Sequence, residues 1–201
     1  MSSTFAPSPP TVPPPRPSRK LLTIADVAAL PRTLPSGDVR YELDDGRLII
    51  MPPPGDIHGA VQSNVVTQLK VQGEFRGLGR ARAEVGLVLR TNPDRLTGPD
   101  AVFVTAALLP LKRSKEGYLE TIPDLVVEVR SPNDTGPEVQ AKVDEYLAAG
   151  VRVVWVADPK SQTVMAHRAN QAPQAFGPFD SLTVPDVIPS FQIPVADLFR
   201  E

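Results

Sequence analysis

The stretch PDLVVEVRSP, from Pro123 to Pro132, constrains the fold more than any other part of the chain. Its apolar, mostly β-branched residues between two prolines predict a short strand that is buried on both faces. Glu128 interrupts this run, and a Glu is almost never fully buried unless a partner offsets the loss of its water. Because side chains alternate along a strand, Glu128 and Arg130 lie on one face. One interpretation is a structural ion pair between Glu128 and Arg130 or another basic residue, and the other is a metal ion or a cleft beside Glu128.

The composition limits the partners that this carboxylate can have. The chain contains no Cys and only two His, which excludes disulfides, thiolate zinc sites and cysteine nucleophiles. A metal ion would have to be held mainly by oxygen atoms. Such a site favours magnesium or manganese over zinc.

Length and hydrophobic content predict one folded domain over residues 21–201. A chain of 201 residues with a hydrophobic fraction of 41% is long enough to bury its own core. Residues 1–20 are rich in Pro and Ser, so they are predicted to form a disordered tail.

The lengths of the apolar runs and the net charge bear on the location of the protein and on its binding partners. Its longest apolar runs are far shorter than the roughly 18 residues of a membrane-spanning helix. The N-terminus lacks the apolar core of a signal peptide, so we expect a soluble cytoplasmic protein with no membrane partner. The net charge of −2 argues against a surface that coats nucleic acid as a whole, although it is compatible with a local basic groove.

Local signals predict the other elements of the fold. Asp44-Asp45-Gly46 between two apolar runs indicates a β-hairpin of residues 41–43 and 47–51. The remaining predicted elements are a short helix capped by Thr23 and ending at Ala29, a helix capped by Asp56 and ending near Val71, strands over 81–90 and 101–104, a polar connection over 110–120, a helix from Pro137 to Ala149, strands over 151–156 and 163–167, and a tail over 182–199 that wraps the core. This order predicts an α/β or α+β domain with a mixed sheet. The passage from 126 to 156 predicts a right-handed crossover between two parallel strands.

Three polar features have both a structural and a functional interpretation. His58 lies on the same helical stripe as Val61 and Leu69, near the positive end of the helix dipole, and is either a partly buried structural His or a site residue. Lys142 lies on the flank of an apolar helix face, where its stem can be buried while its ammonium reaches outward. The charges over 112–115 indicate a solvated loop, or a loop that contacts phosphate.

Acidic residues on two neighbouring strands suggest a shared cation. Pro99-Asp100 precedes one predicted strand, and Glu128-Val129-Arg130 ends the central one. This pattern resembles the PD-(D/E)XK nuclease superfamily, and the chain as a whole resembles the Uma-type family of proposed restriction endonucleases. The resemblance covers residues 22–199 and depends on Tyr41-Glu42-Leu43, Asp45-Gly46, His58, Pro99-Asp100, the run from Glu128 to Pro132, Lys142, Glu145-Tyr146, Ala149-Gly150 and the run from Val154 to Pro159.

The resemblance implies a fold, an activity and a cofactor. The fold is a restriction-endonuclease-like core with flanking helices and an N-terminal β-hairpin. The activity is endonucleolytic hydrolysis of phosphodiester bonds, in DNA as the first expectation. Asp100, Glu128 and the backbone carbonyl of Val129 would hold Mg²⁺ or Mn²⁺, which lowers the pKa of a bound water and offsets charge on the phosphate.

The chain departs from the superfamily pattern at the lysine. Position 130 is Arg, which stays protonated in proteins and therefore cannot act as a general base. The resemblance assigns the lysine to Lys142 on the following helix, where it would orient the attacking water, and it leaves Arg130 to hold a phosphate oxygen. Glu42 would act through a water on the metal and His58 through substrate or a ligand carboxylate. Both can also be plain structural residues, one on a strand surface and one at a helix start.

Two other functions stay open at the level of sequence. A nuclease fold that has lost turnover could bind DNA or assemble with partners, and Arg at position 130 favours this alternative while Asp100, Glu128 and Lys142 oppose it. A metal-dependent enzyme that acts on another phosphoester is the second. A Walker-type glycine loop is missing from the sequence, so an NTPase is not expected. The family resemblance further implies a homodimer, most simply with two-fold symmetry.

Overall fold

The computed structural model describes residues 20–35 and 37–200. The predicted disorder of residues 1–20 lies, apart from Lys20, outside the described residues. None of the helices within the described part of the chain combines the length and the apolar character that a membrane crossing requires.

The described residues form three α-helices, three short 3₁₀-helices and fourteen strands. The α-helices are α1 (Ile24–Ala28), α2 (Asp56–Gln72) and α3 (Gly136–Ala148), and the 3₁₀-helices span Glu74–Arg76, Ala106–Leu108 and Val195–Phe199. The strands are β1 (Thr33–Leu34), β2 (Gly37–Asp38), β3 (Arg40–Asp44), β4 (Arg47–Met51), β5 (Gly79–Ala83), β6 (Leu87–Arg90), β7 (Arg95–Thr97), β8 (Ala101–Thr105), β9 (Leu125–Val129), β10 (Val153–Asp158), β11 (Thr163–His167), β12 (Gln174–Phe176), β13 (Ser181–Val184) and β14 (Ile188–Pro194).

A six-stranded mixed sheet with the order β12-β11-β10-β9-β8-β5 forms the centre of the fold. Strands β9 and β10 are parallel, with Leu125 opposite Val153, which confirms the pairing predicted on either side of α3. The other neighbouring strands of this sheet, within the described residues, are antiparallel. A four-stranded sheet (β4-β3-β7-β6) and two two-stranded ribbons (β1-β2 and β13-β14) complete the structure.

Strand β9 is buried on both faces, as its sequence predicts. Leu125, Val127 and Val129 belong to the core that also contains the apolar stripe of α2. Val126 belongs to a second core on the opposite face, beneath α3. Each such side chain stabilises the fold by about 1.5 to 3 kcal/mol relative to an exposed position. Glu128 is therefore a carboxylate in an otherwise apolar strand, and it faces α3.

Two local predictions are confirmed where short-range chemistry decides the structure. Thr23 caps α1 in a capping box with Asp26. Strands β3 and β4 pair as a hairpin in which Asp44 opposes Arg47. Its two-residue loop has positive φ at both positions, 50° at Asp45 and 72° at Gly46. An Asp-Gly loop suits this type I′ geometry because glycine carries no steric penalty there.

The end of α3 explains why β10 starts two residues later than predicted. Gly150 has φ of +104°, the amide of Gly150 donates to the carbonyl of Leu147, and that of Val151 donates to the carbonyl of Tyr146. These bonds form a Schellman motif, which satisfies the last carbonyls of a helix. Val151 therefore belongs to the helix end, and the strand begins at Val153.

The predicted single strand over 81–90 is wrong. Two strands occupy this region, β5 in the six-stranded sheet and β6 in the four-stranded sheet. Glu84, between them, has φ of 47°, a conformation that a strand interior does not accommodate. The short strand β7, which links β6 to β3, was not predicted.

Two further expectations need correction. Gly55 is the N-cap of α2, and Asp56 is the first helical residue, without a side-chain capping bond. The tail over 182–199 packs on the core as expected, but it does so as the hairpin β13-β14 followed by a 3₁₀-helix. Its apolar residues join the core on the α2 face of the sheet.

Candidate active site

Asp100 and Glu128 lie side by side at one end of the six-stranded sheet. Strands β8 and β9 are antiparallel, and Ala101 opposes Val127. The next step of this register places Asp100 opposite Glu128, and directly opposed residues of an antiparallel pair share one face with Cβ atoms about 5 Å apart. Both side chains are buried.

Asp100 is held from two directions. Its Oδ2 accepts a hydrogen bond from the backbone amide of Val129 at 2.7 Å, just beyond the last ladder pair of β8 and β9. The Nε2 atom of His58, in the first turn of α2, lies 3.3 Å from the same oxygen. Gln62, one turn later in α2, donates to the backbone carbonyl of Asp100 at 3.0 Å. The start of α2 thus contacts both the side chain and the main chain of Asp100.

The charge state of His58 depends on these contacts. Hydrogen bonding to the Asp100 carboxylate raises the pKa of His58 above its usual value, and burial acts in the opposite direction. The Nδ1 atom of His58 is buried and has no hydrogen-bond partner within the described residues. The imidazole is therefore anchored through one nitrogen, while the other is enclosed without a partner among the described residues.

Glu128 accepts hydrogen bonds from two residues of α3. The ammonium of Lys142 lies 3.0 Å from Oε2, and the hydroxyl of Tyr146 donates to Oε1 at 2.6 Å. Burial raises the pKa of Glu128, and the charge of Asp100 adds to this effect, whereas Lys142 and Tyr146 oppose it. Two donors therefore offset part, but not all, of the cost of burying this carboxylate.

The orientation of Lys142 differs from the one predicted. Its ammonium points inward to Glu128, because the buried carboxylate attracts it more strongly than solvent does. Burial alone lowers the pKa of Lys142, but the charges of Glu128 and Glu42 outweigh it and raise the pKa to about 12. Lys142 is consequently a charged hydrogen-bond donor at neutral pH.

Tyr146 is a site residue for which the sequence predicted no role beyond its place among the residues that carry the resemblance. Its ring is buried under the sheet, and its hydroxyl lies 2.9 Å from the hydroxyl of Thr97. Burial and the charge of Glu128 raise the pKa of Tyr146 well above its ordinary value, so the phenol stays protonated. Because it donates to Glu128, it accepts from Thr97. The signal in the sequence was the spacing of four between Lys142 and Tyr146, which places both on one helical face.

Glu42 lies at the edge of the site, within a separate ion network. Its Oε1 accepts from the amide of Gly98 at 3.1 Å, and its Oε2 is 3.6 Å from Nη1 of Arg95. The Nε atom of Arg95 also donates to both carboxylate oxygens of Glu145, at 2.7 and 2.8 Å. This network joins strands β3 and β7 to α3, and neither Arg95 nor Gly98 was predicted from sequence.

Arg130 is engaged away from the paired carboxylates. Its Nη1 bonds Asp158 at 2.8 Å, and its Nη2 donates to the carbonyl of Asp134 at 3.2 Å. Asp158 lies on the parallel strand β10, one residue after Ala157, which is opposite Val129. The ion pair expected for Glu128 is therefore made with Lys142, and Arg130 has a separate acidic partner.

A cleft of about 380 Å³ opens over Asp100 and Glu128. Two loops border it, one between β4 and α2 and the other between β9 and α3. The residues that line it are Arg40, Tyr41, Glu42, the run from Met51 to Gly55, His58, Gly98, Asp100, Glu128, Val129, the run from Ser131 to Asp134 and Lys142. Arg130 and the charged run over 112–115 are not among the described residues that line this cleft. The sequence candidates Glu42, His58, Asp100, Glu128, Val129 and Lys142 thus share one cavity.

The donor atoms in this cleft suit a hard divalent cation. Within the described residues, no group of three or more His, Cys, Asp and Glu side chains is arranged to hold a metal ion. Mg²⁺, however, usually keeps several waters and is bound by one or two carboxylates together with substrate phosphates. Asp100, Glu128 and the Val129 carbonyl match that requirement, and the charge on buried Glu128 is only partly offset. The residues present therefore fit magnesium or manganese.

Comparisons with known proteins agree with this geometry. The profile of the Uma2 family, described as "Putative restriction endonuclease", matches residues 26–196. The fold is similar to the crystal structure of a putative nuclease belonging to DUF820 from Anabaena variabilis ATCC 29413, with a TM-score of 0.71 and 26% sequence identity over 89% of this chain and 97% of that one. No curated protein matches the sequence. The resemblance and the mixed-sheet fold expected from the sequence are thereby confirmed.

Proposed function

The chain belongs to the Uma2 family of putative restriction endonucleases, and from this we propose that it is a metal-dependent endonuclease that hydrolyses phosphodiester bonds in DNA. The observation that carries the proposal is the pair Asp100 and Glu128 on opposed strand positions, with Lys142 in contact with Glu128 at 3.0 Å. Family membership and the likeness to a nuclease support the nuclease class. The metal requirement and the DNA substrate go beyond the nuclease class and are part of the proposal.

The residues divide into metal ligands and supporting groups. Asp100, Glu128 and the carbonyl of Val129 would hold Mg²⁺ or Mn²⁺. When bound, the ion supplies a nucleophilic water at neutral pH and offsets the negative charge that builds on the phosphate. The Val129 amide and His58 fix the Asp100 carboxylate, and Tyr146 fixes the Glu128 carboxylate.

Lys142 contributes positive charge next to the reacting groups. Its ammonium donates to Glu128, and it can donate to the attacking water or to a phosphate oxygen from the same position. His58 lines the same cleft and would contact substrate there. Glu42 lines the same cleft and would act through a water molecule. Arg130 would contact a phosphate oxygen after release from Asp158.

Incubation of the purified protein with plasmid and with single-stranded DNA tests the proposal. Cleavage is expected with Mg²⁺ or Mn²⁺ and is expected to stop in EDTA. Undiminished cleavage in EDTA would refute the metal requirement. DNA binding without cleavage in either metal would support the alternative of a nuclease fold that binds or assembles without turnover. Hydrolysis of a small phosphodiester alone would point to another phosphoester as substrate.

Replacing Lys142 with Ala is expected to reduce cleavage by about 10²- to 10³-fold, the loss seen when one preorganised charge-stabilising donor is removed. Manganese binding, measured by calorimetry, should persist, because the ammonium acts on water and on the transition state and is not a ligand. Lys70→Ala removes a lysine in the last turn of α2, outside the cleft, and is the matched control, with no expected effect.

Arg130 variants distinguish the two cations. Arg130→Lys places an amine two residues from Glu128 and is expected to preserve cleavage or partly rescue Lys142→Ala. Arg130→Ala should raise KM through a lost phosphate contact. Full activity in Lys142→Ala together with none in Arg130→Ala would instead make Arg130 the essential cation.

We propose a two-fold homodimer, and the outer strand of the four-stranded sheet is the surface that suits it. Strand β4 pairs only with β3 among the described strands, and it exposes Ile49 and Ile50. Consecutive strand residues point to opposite faces, so antiparallel pairing of β4 with its copy would place each isoleucine beside partner side chains on its own face. Light scattering should report a dimer for the unchanged chain and a monomer for Ile50→Lys. The control Val71→Lys alters a similarly exposed residue on α2, and a dimer unaffected by Ile50→Lys would contradict this interface.

A further inference from the structure

Even with a divalent ion and Lys142 in place, the cleft carries more negative than positive charge, so it would not attract a phosphodiester without a further cation. Four acidic side chains line it, those of Glu42, Asp100, Glu128 and Asp134. Lys142 lines it as well, but its ammonium is already in contact with Glu128. A phosphate group is an anion, so its entry requires positive charge that these carboxylates do not already neutralise.

Arg40 is a further cation that lines this cleft. It lies in β3, two residues before Glu42, so both side chains project from the same face of the strand. Arg40 lines the cavity together with Asp100, Glu128 and His58.

The contacts of Arg40 leave part of its hydrogen-bonding capacity unused. Its Nη1 is 3.2 Å from a carboxylate oxygen of Glu84, and both side chains are more than 30% exposed. Its Nε is buried and has no hydrogen-bond partner within the described residues. A guanidinium carries five N–H donors, and a buried donor without a partner is unfavourable. Arg130 also has an unpartnered Nε, but both of its terminal nitrogens are engaged.

We propose that Arg40 binds the phosphate of the nucleic-acid strand that enters the cleft, and that Glu84 holds its guanidinium until substrate arrives. This inference rests on the proposed function and adds the residue that brings the anionic substrate to the carboxylates. The planar guanidinium matches two oxygens of a phosphate, whereas the ion pair with exposed Glu84 is weak and solvent-screened. Phosphate replaces Glu84 without leaving a buried charge unpaired.

Binding measurements with an oligonucleotide duplex test this assignment. Fluorescence anisotropy in Ca²⁺ measures affinity without depending on cleavage, over about 50 to 200 mM salt. Arg40→Ala should weaken binding about tenfold or more and should reduce the slope of log K against log salt by about 0.9, the value for one phosphate contact on duplex DNA. Arg40→Lys keeps a charge, so it should retain the slope while losing part of the affinity.

Two further variants separate a phosphate contact from a structural role. Glu84→Gln releases Arg40 and should maintain or tighten binding. Arg76 follows the C-terminal end of α2, whose 17 residues span about 25 Å from the end that carries His58. Because this distance separates it from the cleft, Arg76→Ala should leave both affinity and slope unchanged. Equal weakening by Arg40→Ala and Glu84→Gln would overturn the inference, because it would show that only their ion pair matters.

The binding measurements test the role of Arg40, and the cleavage assay tests the proposed function, so the two can fail separately. A protein that binds the duplex but cleaves nothing in Mg²⁺ or Mn²⁺ contradicts the proposed function, while the salt slopes still decide the role of Arg40. An unchanged slope in Arg40→Ala overturns the inference even if cleavage is observed. Failure of the unchanged chain to bind any oligonucleotide also overturns it.

Discussion

Replacement of Asp100 by Ala is expected to abolish manganese binding and to reduce DNA cleavage by at least about a thousandfold. A bound metal ion contributes several kcal/mol of charge stabilisation in the transition state, and each 1.4 kcal/mol corresponds to about tenfold in rate. Asp100 provides one of the two carboxylates in the proposed ligand set. Its loss leaves Glu128 as the one carboxylate of that set, beside the carbonyl of Val129. Calorimetric titration with manganese and a plasmid cleavage assay measure the two effects.

Asp100→Asn separates ligand chemistry from local structure. The amide keeps an oxygen that can accept from the Val129 amide, which Oδ2 does at 2.7 Å in the native side chain. It removes the negative charge, so metal binding should be lost while the fold persists. Asp56→Ala alters an exposed carboxylate in the same first turn of α2 as His58 and is the control. Equal manganese affinity in the unchanged chain and in Asp100→Ala would rule out the assignment.

Arg95→Ala is expected to destabilise the protein by about 3 kcal/mol. Removal of one partner from a buried ion pair costs about 3 to 5 kcal/mol, and the lower end applies because the side chain of Glu145 is 25% exposed. Arg95 itself is 6% exposed, and it also donates to the carbonyl of Leu43 at 2.9 Å. Its loss leaves Glu42 and Glu145 without this cation. Thermal unfolding followed by circular dichroism should show a decrease in Tm of about 6 to 12 °C.

Arg90→Ala is the matched control for Arg95→Ala. Arg90 also contacts Glu145, at 3.4 Å, but its side chain is 43% exposed. Exposed ion pairs contribute about 0 to 1 kcal/mol, so this variant should unfold close to the unchanged protein. Similar losses of Tm in both variants would show that burial of Arg95 does not determine its contribution.

Features with short-range causes could be predicted from the sequence. The Asp45-Gly46 turn needs positive φ at two positions, and few residue pairs other than Asp-Gly and Asn-Gly permit this. The burial of β9 follows from an apolar run bounded by proline. Asp100 and Glu128 could be paired because the family resemblance aligned both with a known acidic motif, and the strand register agrees with that pairing.

Other predictions failed where one local pattern allows two structures. The run over 81–90 is rich in apolar residues, but Glu84 adopts a positive φ and the two halves lie in different sheets. The helical position of Lys142 was predicted correctly, but its ammonium turns inward. A flank position on a helix is compatible with either direction, and only a buried carboxylate on the neighbouring strand decides between them.

The sequence by itself determined most of the elements and the buried strand, because these depend on side-chain periodicity, turn chemistry and residue type within short stretches. The acidic pair was recognised through the family resemblance. Only the tertiary structure decided the partners of each charge. Glu128 pairs with Lys142 and Tyr146, Arg130 pairs with Asp158, and Arg40 faces the cleft. Charges attract one another through space with a strength set by distance and burial, and neither quantity is encoded in the spacing of residues along the chain.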